Sequence, residues 1–212
     1  FKNFYITHLS IISIVQKKRQ HKNHMEDTNF KIYEPTTEVK GSIIMSLIDA
    51  MGKYQAIGLA YLNKYDIDKP SPEKWYKLSS YLSALRLIHE KLGENTLYLI
   101  GARIYQNVFP KEYTETMTLE EILNAVNDVY HSIHRNGDIG HVKYTTTSET
   151  SCTMEVHKTY GTPLDRGLFV SLTRMFQPKQ RSSFDTEISV ELDELLPNRK
   201  TGSDTEYFHI SW

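Results

Sequence analysis

The chain has 212 residues, which suits one domain or two small ones and is enough to bury a hydrophobic core without cross-links. Hydrophobic residues make up 39% and charged residues 24%, values that argue against a disordered tail and against a membrane protein. The formal net charge of −1 argues against a general basic surface for nucleic acid, and the single cysteine, Cys152, excludes an internal disulfide framework and a cysteine-cluster metal site. This composition predicts a soluble cytoplasmic protein.

Residues 1–24 differ in charge from the rest of the chain. They hold five basic side chains and no acidic one, whereas residues 25–212 hold 20 basic and 26 acidic side chains. The apolar run Leu9–Val15 is too short for a transmembrane segment, and its basic cluster follows it, whereas a signal peptide places the charge first. We expect residues 1–24 to lie upstream of a native start at Met25, the alternative being a basic arm that touches an anionic surface. Residues 25–212 are then a single domain.

The first part of this domain predicts helices. Apolar residues recur at helical spacing over Val39–Tyr65, with a break near Gly52. Ser71-Pro72-Glu73 predicts the start of a second helix that ends at Gly93, and Thr96–Val108 predicts a third. A capping box at Thr118–Glu121 opens a long amphipathic helix through Ile133, which should stop at Arg135–Gly137.

The second part predicts strands around one helix. Apolar and polar residues alternate over Val142–Tyr144 and Cys152–Val156, which indicates two antiparallel strands joined near Thr147–Thr150. Phe184–Val190 and Phe208–Trp212 predict two more strands. Between the pairs, Thr162-Pro163 opens a helix whose inward residues should be Leu164, Leu168, Leu172, Met175 and Phe176. The fold class is therefore α+β, an N-terminal helical bundle packed on a small C-terminal antiparallel sheet with one inserted helix.

The densest polar segment is the candidate site. Three histidines, His131, His134 and His141, fall within eleven residues, and imidazole is a good ligand for metals and haem. Three interpretations stay open: a solvated His131 with a charged His134 at the helix C-terminus, a ligand role, or a dimer contact. Beside the segment we include Tyr160, Asp165 and Arg166. The candidate ligand-binding residues are Tyr130, His131, His134, Arg135, Asp138, His141, Tyr160, Asp165 and Arg166.

Catalytic signals are weak. The sequence contains no P-loop, GxGxxG, HExxH or GxSxG motif. Cys152 alternates with Met154 and Val156, so we expect a buried structural thiol rather than a nucleophile. Asp165 falls in the first turn of its helix, where it suits the helix dipole. We predict no catalytic residues and favour a non-enzymatic role.

Three segments carry a resemblance to a known family. They are Tyr130–His141 (YHSIHRNGDIGH), Tyr160–Gly167 (YGTPLDRG) and Asn198–Trp212 (NRKTGSDTEYFHISW). Together, and in this order, they resemble bacterial proteins related to the 4-vinyl reductase domain. That domain belongs to the superfamily of haem nitric-oxide-binding (H-NOX) domains and TRAPP-type tethering subunits, and the resemblance covers about Val39 to Trp212. It implies a compact ligand-pocket domain, often dimeric and sensory.

The departures from the family pattern bear on cofactors. The resemblance places three family cysteines at Thr162, Asn198 and Glu206, so a thiolate metal site is absent here. The haem branch is matched in part: its first helix is similar to Val39–Ile44, and its haem-ligating histidine falls near His131. Its Tyr-x-Ser-x-Arg motif for haem propionates is replaced by Val156–Tyr160, which reads Val-His-Lys-Thr-Tyr. Haem is therefore possible and not favoured.

The sequence leads to three ranked functional hypotheses, and a pure assembly subunit with a vestigial pocket is a fourth. The first is a non-catalytic sensory domain that binds a small apolar or amphipathic molecule and signals through a homodimer or a protein partner, without nucleic acid or a transmembrane segment. The second is a haem-binding sensor of nitric oxide or dioxygen that uses His131 or His134. The third, a protein related to tetrapyrrole vinyl reductases, rests on the family name alone.

Overall fold

The computed structural model describes residues 30–177 and 188–212. Within them the α-helices are α1 (Gly41–Met51), α2 (Gln55–Asn63), α3 (Leu78–Leu92), α4 (Glu94–Val108), α5 (Lys111–Thr116), α6 (Leu119–Asn124), α7 (Val126–Ser132) and α8 (Thr162–Phe176). The strands are β1 (Glu38–Lys40), β2 (Trp75–Lys77), β3 (His134–Arg135), β4 (Gly140–Ser148), β5 (Ser151–Lys158), β6 (Ser189–Leu192) and β7 (Thr205–Ser211). The predicted α+β class is confirmed. The prediction that residues 1–24 lie upstream of a native start concerns residues that the structure does not describe.

A three-stranded sheet, in the order β2-β1-β3, corrects two helix predictions. Val39 pairs with Tyr76 and with His134, so the first predicted helix begins as a strand, and the second begins at Leu78 rather than at Ser71-Pro72-Glu73. The aromatic residues before α3 suit a pleated surface, and local capping signals cannot register a partner strand far away in sequence. The break after α1 is confirmed at Gly52, whose φ of +48° is open to glycine.

The long helix predicted through Ile133 is two helices. The capping box is confirmed, since Glu121 N donates to Thr118 Oγ1 at 3.3 Å and Thr118 N donates to Glu121 Oε2 at 2.8 Å. The chain bends at Ala125, and α7 ends at Ser132. After Ile133, His134 and Arg135 form β3 instead of a last helical turn, and Asn136 takes a φ of +63°.

The second sheet has the order β4-β5-β7-β6 and is antiparallel throughout. Val142 pairs with Val156 and Met154 with Phe208, which confirms the alternation of buried residues and the turn between β4 and β5. Val190 lies in β6, whereas residues 184–187 of that predicted strand lie outside the described residues. The sheet buries one face against α8.

Helix α4 lies at the centre of the helical layer and packs on α8 and α1. A Cβ on Gly101 would lie 1.9 Å from the Leu164 carbonyl oxygen, so α4 and α8 cross with their backbones in contact. Of the residues predicted to face inward from α8, Leu164, Leu168 and Leu172 are buried. Met175 is 48% exposed, which corrects that prediction, and it lies in the last turn of α8.

Candidate ligand-binding site

A buried polar cluster joins α7, β3 and the segment after β5. His134, 6% exposed, bonds through Nδ1 to the Tyr130 carbonyl oxygen at 2.7 Å and through Nε2 to the Tyr160 hydroxyl at 2.8 Å. A carbonyl oxygen only accepts, so Nδ1 carries the proton and Nε2 accepts from Tyr160. The Tyr130 hydroxyl donates to the Ile139 carbonyl oxygen at 2.7 Å. We call Tyr130, His134 and Tyr160 the tyrosine–histidine cluster.

The cluster is electrically neutral at pH 7. Burial lowers the pKa of His134 to about 4, the nearby positive charge of Lys158 acts in the same direction, and the bond to the Tyr130 carbonyl opposes them. Burial also raises the pKa of Tyr130 and of Tyr160 well above the usual value. His134 is therefore an uncharged hydrogen-bonding group, and the interpretation of a charged His134 that stabilises a helix C-terminus is wrong.

A buried ion pair lies beside the cluster. Lys158 and Asp165 form it, with side chains 3% and 0% exposed. Lys158 Nζ also lies 5.0 Å from the centre of the Tyr130 ring, a cation–π contact. Apart from that ammonium group, no hydrogen-bond donor of the described residues reaches the Asp165 carboxylate. Asp165 thus neutralises the charge of a buried lysine. This interaction is stronger than the interaction with the helix dipole that its position in the sequence predicts.

An apolar cavity opens next to these groups. Its volume is about 20 Å³, which is room for one or two water-sized molecules. It lies between α1, α4, α7 and α8 at the end of β5. The lining residues are Ile43, Ile104, Val108, Phe109, Val126, Val129, Tyr130, Ile133, Lys158, Tyr160, Leu164 and Leu168.

Four of the nine candidate residues come together here: Tyr130, His134, Tyr160 and Asp165. The other five lie exposed on the surface. Arg135 Nε donates to Glu38 Oε2 at 2.6 Å, Asp138 Oδ1 accepts from Gly140 N at 2.9 Å, and His141 Nε2 lies 3.3 Å from Glu155 Oε1. His131 projects to solvent from α7 and Arg166 from α8. The expectation of one shared site for all nine is therefore wrong, because residues next to each other in sequence alternate between core and surface.

Sequence reasoning missed Lys158 as a site residue. The alternation of buried residues in β5 runs through Cys152, Met154 and Val156 and reaches Lys158 at its next step. Continued to residue 158, this alternation predicts a lysine inside the core. Tyr81 of α3, which packs edge-on against Tyr160 with ring centres 6.2 Å apart, carried no comparable signal.

At the three positions where the resemblance places cysteines, Thr162 and Glu206 bond to each other, and Asn198 bonds within its own loop. Thr162 Oγ1 donates to Glu206 Oε1 at 2.5 Å, and Arg199 Nε donates to Glu206 Oε2 at 3.2 Å. Arg199 Nη2 donates to the Lys158 carbonyl oxygen at 2.6 Å, and Asn198 Oδ1 accepts from Lys200 N at 3.0 Å. A buried ion pair with Arg199 thus stands at one of these positions, Glu206. Among residues 30–177 and 188–212 no group of three or more His, Cys, Asp or Glu side chains is placed to hold a metal ion.

Comparison with known proteins gives the fold. No protein-family model matches the sequence, and no curated protein matches it significantly. Solved structures do match. An H-NOX protein from S. oneidensis in the Fe(II)NO ligation state has a TM-score of 0.58 at 15% identity, over 81% of this chain and 98% of that one. The chain has the H-NOX fold.

Two further structures agree with this assignment. An oxygen-binding H-NOX domain related to soluble guanylate cyclases has a TM-score of 0.57 at 13% identity, over 81% of this chain and 94% of that one. A structure from work on haem distortion in the H-NOX family has a TM-score of 0.59 at 13% identity, over 81% and 92%. These likenesses support an H-NOX-like fold and give no support to the 4-vinyl reductase assignment. None of the helices in the described part is long and apolar enough to cross a membrane.

The residues of this chain do not fit a haem as the site is arranged. A porphyrin is many times larger than the cavity of about 20 Å³. His131 is exposed and does not line the cavity, and both ring nitrogens of His134 are engaged with Tyr130 and Tyr160. Lys158, within the segment that replaces the propionate-binding motif, is bound to Asp165. Among the described residues around the cavity, His134 and Lys158 already have partners, so neither is free to hold a haem.

Proposed function

We propose that the protein is a non-catalytic sensory domain of H-NOX architecture that binds a small, uncharged, apolar molecule in the cavity beside the tyrosine–histidine cluster. The observation that carries the proposal is the cavity itself, apolar and placed where four helices meet the end of β5. Its lining offers hydrophobic contacts and hydroxyl groups that already have partners. A charged ligand would have to lose its hydration there without a free counter-charge, since Lys158 is paired.

The surroundings of the cavity suit it for signalling. The cluster ties Tyr130 of α7 to His134 of β3 and to Tyr160, and the Lys158–Asp165 pair ties β5 to α8. A ligand that fits one relative placement of these elements better than another shifts the population between them, as its difference in affinity requires. We propose that the shift is passed to a protein partner or a second copy. The buried free thiol of Cys152 supports a reducing compartment such as the cytoplasm.

Dissolved xenon tests the cavity, because it is small, apolar and chemically inert. We expect saturable changes in methyl NMR shifts at Ile43, Ile104 and Leu168, which line the cavity. Val129→Ile adds one methylene to the lining and should suppress these changes. Val170→Ile makes the same change at a half-buried position of α8 outside the lining and should leave them intact. Shifts that are absent, or that are unaffected by Val129→Ile, would contradict the proposal.

The second candidate is a haem-binding gas sensor. The structural neighbours support it better than they support the first candidate, because they are H-NOX proteins described with nitric oxide and oxygen bound. His131 or His134 would be the ligand, and binding would require the tyrosine–histidine cluster to open. Absorbance on titration with haemin separates this candidate from the first: a stoichiometric Soret band that depends on either histidine supports haem, and loose binding without such dependence supports the smaller ligand.

A further inference from the structure

Helix α2 has a composition that does not suit solvent. Gln55–Asn63 contains no charged residue, and its seven inner residues are Ala, Ile, Gly, Leu, Ala, Tyr and Leu. Only Gly58 and Leu62 are buried. A helix on the surface of a soluble protein normally carries charged and polar side chains on its outward face. The outward face of α2 is instead apolar, which is the composition of a helix that packs against another surface.

The shape of this face suits a second helix. At about 100° per residue, Ala56 and Ala60 lie along the middle of the outward face, with Ile57 and Leu59 on either side. Ile57 and Leu59 are each 39% exposed, and Tyr54, at the N-terminal end, is 54% exposed. Small residues in the middle allow close approach, and the larger side chains form ridges beside them. We call Tyr54, Ala56, Ile57, Leu59 and Ala60 the α2 face.

A groove runs beside the ridge that Leu59 forms. It has a volume of about 320 Å³ and is lined by Ala56, Leu59, Ala60, Asn63, Ile67, Asp68 and Lys69. Its far wall is the loop after α2, which two backbone bonds hold: Asp66 N donates to the Asn63 carbonyl oxygen at 3.1 Å and Ile67 N to that of Leu62 at 3.1 Å. Ridge and groove therefore lie on the same surface, so a two-fold axis can place each ridge in the groove of a second copy.

Opposite charges lie at the two ends of the α2 face, a lysine at one end and two aspartates at the other. Lys53 lies before α2, whereas Asp66 and Asp68 follow it, together with Lys64 and Lys69. None of these five forms an ion pair within residues 30–177 and 188–212. An antiparallel pair brings Lys53 close to Asp66 and Asp68 of the other copy. An anionic membrane would instead call for a basic cluster, and here three lysines are interleaved with two aspartates.

We infer that the α2 face is a homodimer contact, formed by two antiparallel copies of α2 about a two-fold axis near Ala60. Leu59 of each copy occupies the groove of the other, and Lys53 lies opposite Asp68 of the partner subunit. One short helix gives an interface smaller than the usual size for stable complexes, so the dimer is weak, with Kd on the order of micromolar. This inference does not depend on the ligand, and it supplies a route by which a sensory domain could report its state.

Sedimentation velocity over about 1 to 200 µM of the full chain tests the inference, a range that brackets a micromolar Kd. We expect a monomer–dimer equilibrium. Ala60→Arg places a charge at the middle of the face and should abolish the dimer. Glu90→Arg introduces the same side chain at an exposed position of α3 and should leave it unchanged. Circular dichroism melting of both variants shows that they remain folded.

Charge exchange tests the antiparallel geometry. Lys53→Glu and Asp68→Lys should each weaken the dimer about tenfold, because the two-fold axis repeats every repulsion. The double variant should return to within about threefold of the original Kd, since the charges are exchanged on both copies. A monomer at all concentrations, or a dimer that tolerates Ala60→Arg, would overturn the inference. So would a wild-type monomer that binds anionic vesicles through this face.

Discussion

Replacing Asp165 with alanine leaves the Lys158 ammonium group buried and without its carboxylate. The lysine side chain is 3% exposed, and in the described part of the chain Asp165 is the acidic group it contacts. Removing one partner of a buried ion pair costs about 3 to 5 kcal/mol, because an uncompensated charge remains in a medium of low polarity. For a domain of this size that corresponds to a fall in Tm of roughly 6 to 20 °C.

The double replacement of Lys158 by methionine and Asp165 by leucine separates lost charge balance from lost packing. Both side chains are then apolar and of similar size, and the cost of burying two charges disappears. We expect a stability within about 1 kcal/mol of the original or above it. Asp138→Ala is the matched control, since Asp138 is exposed, and it should change stability by less than about 1 kcal/mol.

Urea denaturation followed by circular dichroism gives the free energy of unfolding for each variant. A loss below about 1 kcal/mol in Asp165→Ala would show that Lys158 reaches water or another partner, and it would refute the account of this pair. A double variant as unstable as Asp165→Ala would refute it equally, because the loss would then arise from packing.

Three further predictions concern single residues: His134, Gly101 and Cys152. The pKa of His134 is about 4 in the folded chain and 6.5 in the unfolded chain, so the unfolded chain binds more protons between these two pH values. The free energy of unfolding should therefore fall by on the order of 3 kcal/mol as the pH drops from about 6.5 to 4. The difference between wild type and His134→Gln in urea melts across this range isolates that contribution, and parallel curves would contradict it. Gly101→Ala should lower the free energy of unfolding by about 3 kcal/mol in the same assay, because the new Cβ would lie 1.9 Å from the Leu164 backbone. In Gly58→Ala the new Cβ lies 3.0 Å from a movable Leu47 side chain, and the change should be less than about 1 kcal/mol. Equal effects would refute the close helix crossing. Burial raises the pKa of Cys152 to about 12, so its native reaction with a thiol reagent at pH 8 should be roughly a thousandfold slower than in denaturant, and a fast native reaction would disprove its burial.

The elements that sequence could predict are those specified by local signals. The capping box at Thr118 and the alternation in β4 and β5 depend on neighbouring residues, and both are confirmed. The three-stranded sheet was missed because its short strands pair across long separations: Glu38 pairs with Lys77 and with Arg135. A three-residue strand has too little alternation to be distinguished from the start of a helix.

The site was predicted in part for a similar reason. Tyr130, His134, Tyr160 and Asp165 converge because their backbones meet beside β5, which no spacing in the sequence encodes. His131 and His134 look equivalent as candidate ligands in the sequence, yet α7 ends between them, and this sends one to solvent and the other into the core. The role of Asp165 was missed because the alternation of buried residues in β5 was followed only to Val156 and not to Lys158, the partner of Asp165.

The absorbance spectrum of the purified chain during titration with haemin, under reducing conditions, tests most directly the claim that this H-NOX fold binds a small ligand without haem. We expect no sharp Soret band at one equivalent, and the same weak, unsaturated binding in wild type, His131→Ala and His134→Ala. A stoichiometric Soret band that disappears in His131→Ala or His134→Ala would contradict it and establish the haem-binding gas sensor in its place.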